Sequence, residues 1–419
     1  MKNYLIYLVL CILTFQFSHA QTETCDCQSD LTFLVEKIKK MPSYKHQINR
    51  AKAVEFEQSY KDLSQLMTAP LPIETCYKLL VQQLYLVHDL HAYITFDQTY
   101  FNEEDLTNAQ ALEKFKQSTP FLSHPRSSKD LNALEATLAQ APLDHVEGVY
   151  SFNDLMQIGL YFDAALDTYV GVVLSSTLAH WEPGQIKLYA KKNKTGKYNL
   201  YSYHHISYQP STIRGMTFAN GRLWALKKGT DTANAELAPS GISDWEFKQL
   251  SDTVQYTYFG NFSSFSSANK KAYRAFYAAH KDDFNTAKHI IVDLRSNRGG
   301  NKKISDAFYK LFKKSKARVY VLTNSFTGSN GEQFTVQLKS LKNTLHLGQA
   351  TRGIIAYGTN YGYTHQTPSG NFTFKPTDMD FHKAFFQYEG TGVTPDQVLA
   401  YDQDWITQTL ALIANNKQP

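Results

Sequence analysis

Apolar positions recur at helical spacing in the first quarter of the chain and shift to strand-like runs after its first third. Leu31, Leu34, Val35 and Ile38 fall on one helical face, and Leu79, Leu80, Leu84 and Val87 repeat the pattern. Residues 28–95 therefore read as helical, punctuated by Pro42, Pro70 and Pro72. Residues 100–143 are more polar, with Leu131, Leu134 and Leu138 as a short helical face. From Val146 the runs become short and β-rich: Gly148-Val149-Tyr150, Ile158 to Phe162, Tyr169 to Leu174, Ile186 to Tyr189 and Tyr198 to Tyr201. Turn signals such as Pro183-Gly184 and Thr195-Gly196 separate them, which predicts a small antiparallel barrel or sandwich ending near Leu250. The last part alternates. His289 to Leu294 and Arg318 to Leu322 read as strands, each followed by an amphipathic helix, the first carrying Ile304, Phe308, Leu311 and Phe312 and the second Phe334, Leu338 and Leu341. Such spacing predicts parallel strands with crossover helices. The expected fold class is multidomain α+β: a helical domain over 21–144, an antiparallel β domain over 145–252 and an α/β core over 253–419.

The extreme N-terminus differs from all of this. Lys2 precedes an apolar run from Tyr4 to Phe17, and Ser18-His19-Ala20 offers small residues at a cleavage site. Residues 1–20 thus read as a secretory signal peptide, predicting an exported chain, periplasmic or secreted, with no membrane span later on. Its removal leaves Cys25, Cys27 and Cys76, so that in an oxidising compartment one of the first two can pair with Cys76 and one thiol is left over. A net charge of +5, spread over scattered Lys and Arg, argues against nucleic-acid binding. His88-x-x-His91 and Cys25-x-Cys27 each lack further ligands at a typical spacing, so neither a metal nor a cofactor is expected.

Two loops leave the carboxyl ends of the C-terminal strands, where open α/β sheets meet their ligands. The first runs from Asp293 to Asn301 through Gly299-Gly300, and paired glycines at a helix start let backbone N–H groups approach an anion. The second places Ser329 among small residues at the start of a helix, where the Asn330 N–H and one from Gly299 or Gly300 could hold an oxyanion. Taken alone, each has a plainer reading. The glycines suit any strand-to-helix turn, and Ser329-x-x-Glu332 is a capping box.

The motifs in series point further. Asp293-Leu294-Arg295-Ser296-Asn297-Arg298-Gly299-Gly300 is followed by Ser329-Asn330-Gly331-Glu332, then Gly348-Gln349-Ala350-Thr351-Arg352-Gly353, then Glu389-Gly390-Thr391-Gly392-Val393-Thr394-Pro395-Asp396. This order resembles the serine peptidases of the C-terminal-processing and tricorn-core family, over about residues 254 to 410. The resemblance implies a crotonase-like α/β peptidase core with Ser329 as nucleophile and a peptide or unfolded protein as substrate. In the C-terminal-processing branch a Lys follows Thr-x-Gly as general base; here the position is Ile354. Thr351-Arg352-Gly353 is more similar to the tricorn branch, where a His from the N-terminal domain activates the serine and a Glu near the C-terminus supports it. Asp89-Leu90-His91-Ala92-Tyr93 and Glu389 match those elements, with Leu90 where that branch has Ser. The implied catalytic set is Ser329, His91 and Glu389, with Gly299, Gly300 and Asn330 around the oxyanion. Residues 145–250 show no clear peptide-terminus-binding loop. The absent Lys and Leu90 also motivate a rival reading, a catalytically degenerate relative that binds peptides or lipids.

Overall fold

The computed structural model describes residues 23–229, 235–381 and 383–415; the signal peptide expected over 1–20 lies outside them. Helix Cys27–Lys40 opens on Asp26, whose carboxylate accepts the Gln28 N–H, and it buries Leu31, Leu34, Val35 and Ile38 as the periodicity predicts. It packs on helices Arg50–Leu66 and Ile73–Leu84. A Cys27–Cys76 disulfide ties helix Cys27–Lys40 to helix Ile73–Leu84, and Cys25 is the remaining buried thiol. The helical reading stops short of residue 95. Tyr93–Phe96 is a strand paired antiparallel with Phe372–Lys375, so Phe372 and Phe374 from far down the chain complete the core of this helical layer. Alternating Ile94 and Phe96 point inward, a period of two that is too short to stand out after a helix.

Helices Ala109–Lys116 and Leu131–Leu138 belong with the β region and not with the helices before residue 85. Phe101, Phe115 and Phe121 share a core with Tyr150, Ile158 and Leu188, while Leu138 packs against Val172 and Ile186. The β region is one nine-stranded antiparallel sheet running from Phe218–Ala219 at one edge to Pro210–Met216 at the other. The expected barrel or sandwich is not formed, because the two edge strands do not pair. Register shifts at Gln157/Ile158, Gly171/Val172 and Tyr198/Leu200 bend the sheet without closing it.

Strand Trp245–Ser251, which the expected boundary at residue 252 placed in the middle region, is instead the antiparallel edge of the C-terminal sheet. From it the order is Val254–Phe259, His289–Asp293, Arg318–Thr323, Thr344–Gly348 and Gln397–Val398, all parallel as the strand-helix alternation predicts. Both faces are covered. Ile290, Val292, Val319 and Val321 meet Phe308 and Phe334, and Ile291, Tyr320 and Leu322 meet Trp405 and Ile413 of helix Trp405–Asn415. Among the described residues no helix is long and apolar enough to cross a membrane.

Candidate active site

The two loops leaving Asp293 and Thr323 lie side by side, and each is fixed from below. The Arg295 guanidinium, about 1% exposed, pairs with the fully buried Asp293 carboxylate at 2.6 Å and donates to the Ala235 carbonyl. Asn297 donates to the Phe259 carbonyl and accepts the Gly299 N–H at 2.7 Å. A side chain on Gly299 would meet the Asn330 nitrogen and Ser329 Cβ at 2.6 Å, and one on Gly300 the Phe262 carbonyl carbon at 2.2 Å, so the glycines are required by close approach.

Ser329 sits at φ 54°, ψ −126°, in a backbone region that a non-glycine residue occupies only when its surroundings force it. Its N–H donates to Glu332 Oε2 at 3.0 Å and also to the Ile354 carbonyl. The fully buried Glu332 carboxylate further accepts Thr351 Oγ1, Gly353 N–H and Ile354 N–H, at 2.5, 2.6 and 2.8 Å. Burial raises its pKa, and these donors oppose the shift. The capping box is therefore real, yet it leaves the hydroxyl available: His91 Nε2 lies 3.1 Å from Ser329 Oγ, across 238 residues of chain. Of the three candidate oxyanion groups, the Gly299 N–H is engaged by Asn297. Those of Gly300 and Asn330 have no acceptor among the described residues, and Gly299 contributes its lack of a side chain.

His91 stands on a turn held from three directions. Asp89, fully buried, accepts the His91 and Ala92 N–H groups through Oδ1 and Thr377 Oγ1 through Oδ2. Glu389 accepts the Leu90 N–H at 3.0 Å through one oxygen and the Ile355 and Ala356 N–H groups at 2.9 and 2.8 Å through the other. It thus bridges the histidine turn to the segment under Ser329 and makes no hydrogen bond to the imidazole ring. Burial, with a neighbouring Asp89 charge, pushes the Glu389 carboxyl up to about 7. Arg214, from the large sheet, donates to the Val87, Asp89 and Ala92 carbonyls and lies over the Tyr85 ring. Burial pushes the imidazole down to about 4, so the ring is neutral near pH 7. The Nδ1 atom is buried with no partner among the described residues.

The sheet also reaches the serine side. Lys197 donates to the Thr351 and Arg352 carbonyls at 3.2 and 2.7 Å, and Thr195 Oγ1 to that of Gly390. Burial lowers the Lys197 ammonium to about 8, with Glu332 opposing the shift. Asp89, Asn297 and Glu332 stood in the motifs without a role of their own in the site beyond the cap formed by Glu332, and the sequence pattern did not single out Arg214 or Lys197 at all. The two basic residues have no local signature; a lone Lys before a strand or a lone Arg within one usually faces water.

No family model and no curated protein matches the chain. Solved structures similar to it include mature CPAF, at 11% identity over 94% of this chain and 98% of that one, TM-score 0.46. The photosystem II D1 C-terminal processing protease follows at 13% identity over 90% and 94%, TM-score 0.36. The tricorn protease is 13% identical over 93% of this chain and 37% of its own, TM-score 0.43.

Proposed function

We propose that the chain is an exported serine peptidase that works through an acyl-enzyme. Ser329 Oγ attacks the peptide carbonyl as His91 Nε2 takes its proton, and the same imidazole returns that proton to the leaving amine. The Gly300 and Asn330 N–H groups receive the oxyanion beside Gly299. Glu389 and Asp89 position the histidine turn without touching the reacting atoms. The contact of 3.1 Å between Ser329 and a neutral His91 carries this reading. No step calls for a metal or cofactor. Substrates are peptides or unfolded proteins, and export follows from the apolar run before Ala20.

The test is labelling of the mature protein with a fluorophosphonate. Labelling is expected in the native chain, absent in Ser329→Ala and reduced at least a hundredfold in His91→Ala. Equal labelling of native protein and His91→Ala would remove the histidine from the mechanism. A second reading, a non-catalytic binder of peptides or lipids, is favoured by the unpartnered Nδ1, which leaves the histidine without the acceptor that completes a triad. Peptide binding with no labelling of the native chain selects it.

A further inference from the structure

Arg352 is a half-buried cation that the proposed mechanism leaves unused. Its N–H donates to the Thr327 carbonyl at 2.9 Å, which holds the residue against the turn that carries the nucleophile. A methyl group built on Gly328, the residue before Ser329, would lie 4.0 Å from Arg352 Cδ, so the side chain runs past that glycine. Its Nε is buried without a partner, and among the described residues the guanidinium makes no ion pair. The nearby carboxylates are engaged elsewhere: Glu332 and Glu389 by backbone N–H groups, Asp89 by backbone N–H groups and Thr377. Arg298 adds a second cation. It is exposed and lines a cleft of about 510 Å³ with Gly299, Gly300, Tyr258 and Asp244, the last being the one acid on that wall.

We infer that Arg352, with Arg298 at the rim, forms a subsite for a substrate carboxylate within about one residue of the scissile bond. The subsite rests on the peptidase reading for its purpose but not for its detection. A guanidinium presents a planar fork of N–H donors that suits a carboxylate, and holding its buried Nε without an acceptor is costly. A substrate carboxylate supplies both the acceptor and the opposing charge on binding, whereas an isosteric amide supplies the acceptor alone. The charges of Arg298 and Arg214 act on Arg352, and that of Arg352 on Lys197, with Glu332 opposing them. The carboxylate has two sources, an Asp or Glu side chain or the free C-terminus of a short peptide, and both present the same group.

The test measures binding to Ser329→Ala, so that turnover is not needed. Fluorescent peptides carry Asp or Asn at each successive position, all with amidated C-termini, and a parallel set compares free-acid with amidated ends. At one position Asp is expected to bind at least about tenfold more tightly than Asn. That ratio should fall towards one when Arg352→Met is added and recover in part with Arg352→Lys. A free-acid preference without an Asp preference assigns the subsite to a peptide terminus. Ratios near one in both sets overturn the inference, as does a preference that survives Arg352→Met. Should the Met variant fail to fold, the Lys variant decides, since moving the charge must reduce the ratio. Fluorophosphonate labelling of the native chain separates the two claims. A preference for Asp in a chain that does not label keeps the subsite and removes the peptidase.

Discussion

The half-buried His91 and the buried Glu389 are two titratable groups whose desolvation acts in opposite directions on stability. A histidine that titrates near 4 in the fold and near 6.5 when unfolded contributes stability above pH 6.5 that is lost as pH falls towards 4. A carboxyl raised to about 7 acts the other way: the folded state holds its proton between about 4.5 and 7, so its contribution declines as pH rises through 7. Over pH 4.5–6.5 the two slopes oppose each other, and stability should change little with pH there. Reactivity is not buffered in this way, because only the neutral imidazole can accept the serine proton. The rate of fluorophosphonate labelling is expected to stay flat from pH 8 to about 5.5 and to fall tenfold per unit below about 4. A limb centred near 6.5 would mean that the ring is solvated in the reacting protein. The two ends of this pair differ in how they show in the sequence. Ser329 stands in a motif of small residues with Glu332 three positions on, whereas His91 is visible only through the Asp89-to-Tyr93 resemblance, since a lone histidine after a helix has no pattern of its own.

Elements were easier to read than their neighbours. The C-terminal strands and crossover helices follow from local periodicity, because buried parallel strands are continuous apolar runs bounded by turns. Strand Trp245–Ser251 could not be assigned that way: its partner is the next strand, Val254–Phe259, and a hairpin looks alike whichever sheet it joins. Lys197 and Arg214 were equally hidden, since their acceptors lie 122 to 155 positions away. Arg214 reaches three carbonyls of the histidine turn, so Arg214→Met should displace the imidazole and slow labelling by about ten- to a hundredfold, the scale of a misplacement near 1 Å. Arg214→Lys should restore part of the rate, and both variants should keep the native melting temperature within a few degrees. A large loss of Tm with normal labelling in the surviving fraction would make Arg214 merely structural. In the helical layer, Cys25 Sγ lies 2.8 Å from Cys76 Sγ, so either early cysteine can serve that partner. Cys76→Ser removes both pairings that reach helix Ile73–Leu84 and should cost about 2–4 kcal/mol. Cys27→Ser should cost less, with a Cys25–Cys76 bond found by peptide mapping; equal losses would exclude the exchange.

At the scale of the whole molecule, the candidate site belongs to no single layer. The histidine turn hangs from the helical layer, the serine stands on the C-terminal sheet, and Lys197 and Arg214 extend from the nine-stranded sheet to hold one each. Strand Tyr93–Phe96 joins the helical layer to Phe372–Lys375 by main-chain bonds and shared aromatic packing. The seam with the large sheet is more polar: Glu74 Oε1 accepts Tyr201 and Tyr203 hydroxyls at 2.9 and 2.7 Å and pairs with Lys78 at 2.8 Å. Polar seams within one chain open more readily than apolar cores. Labelling of Ser329 should therefore be lost at lower urea than the far-ultraviolet circular dichroism, because the His91 turn loses its Arg214 anchor before either sheet unfolds. Glu74→Gln removes the charge facing Lys78 and weakens the bonds from two phenols, so it should lower the labelling midpoint by more than the dichroism midpoint. Coincident midpoints in both proteins would show that the layers unfold as one unit, and the seam would then have no separate part in assembling the site.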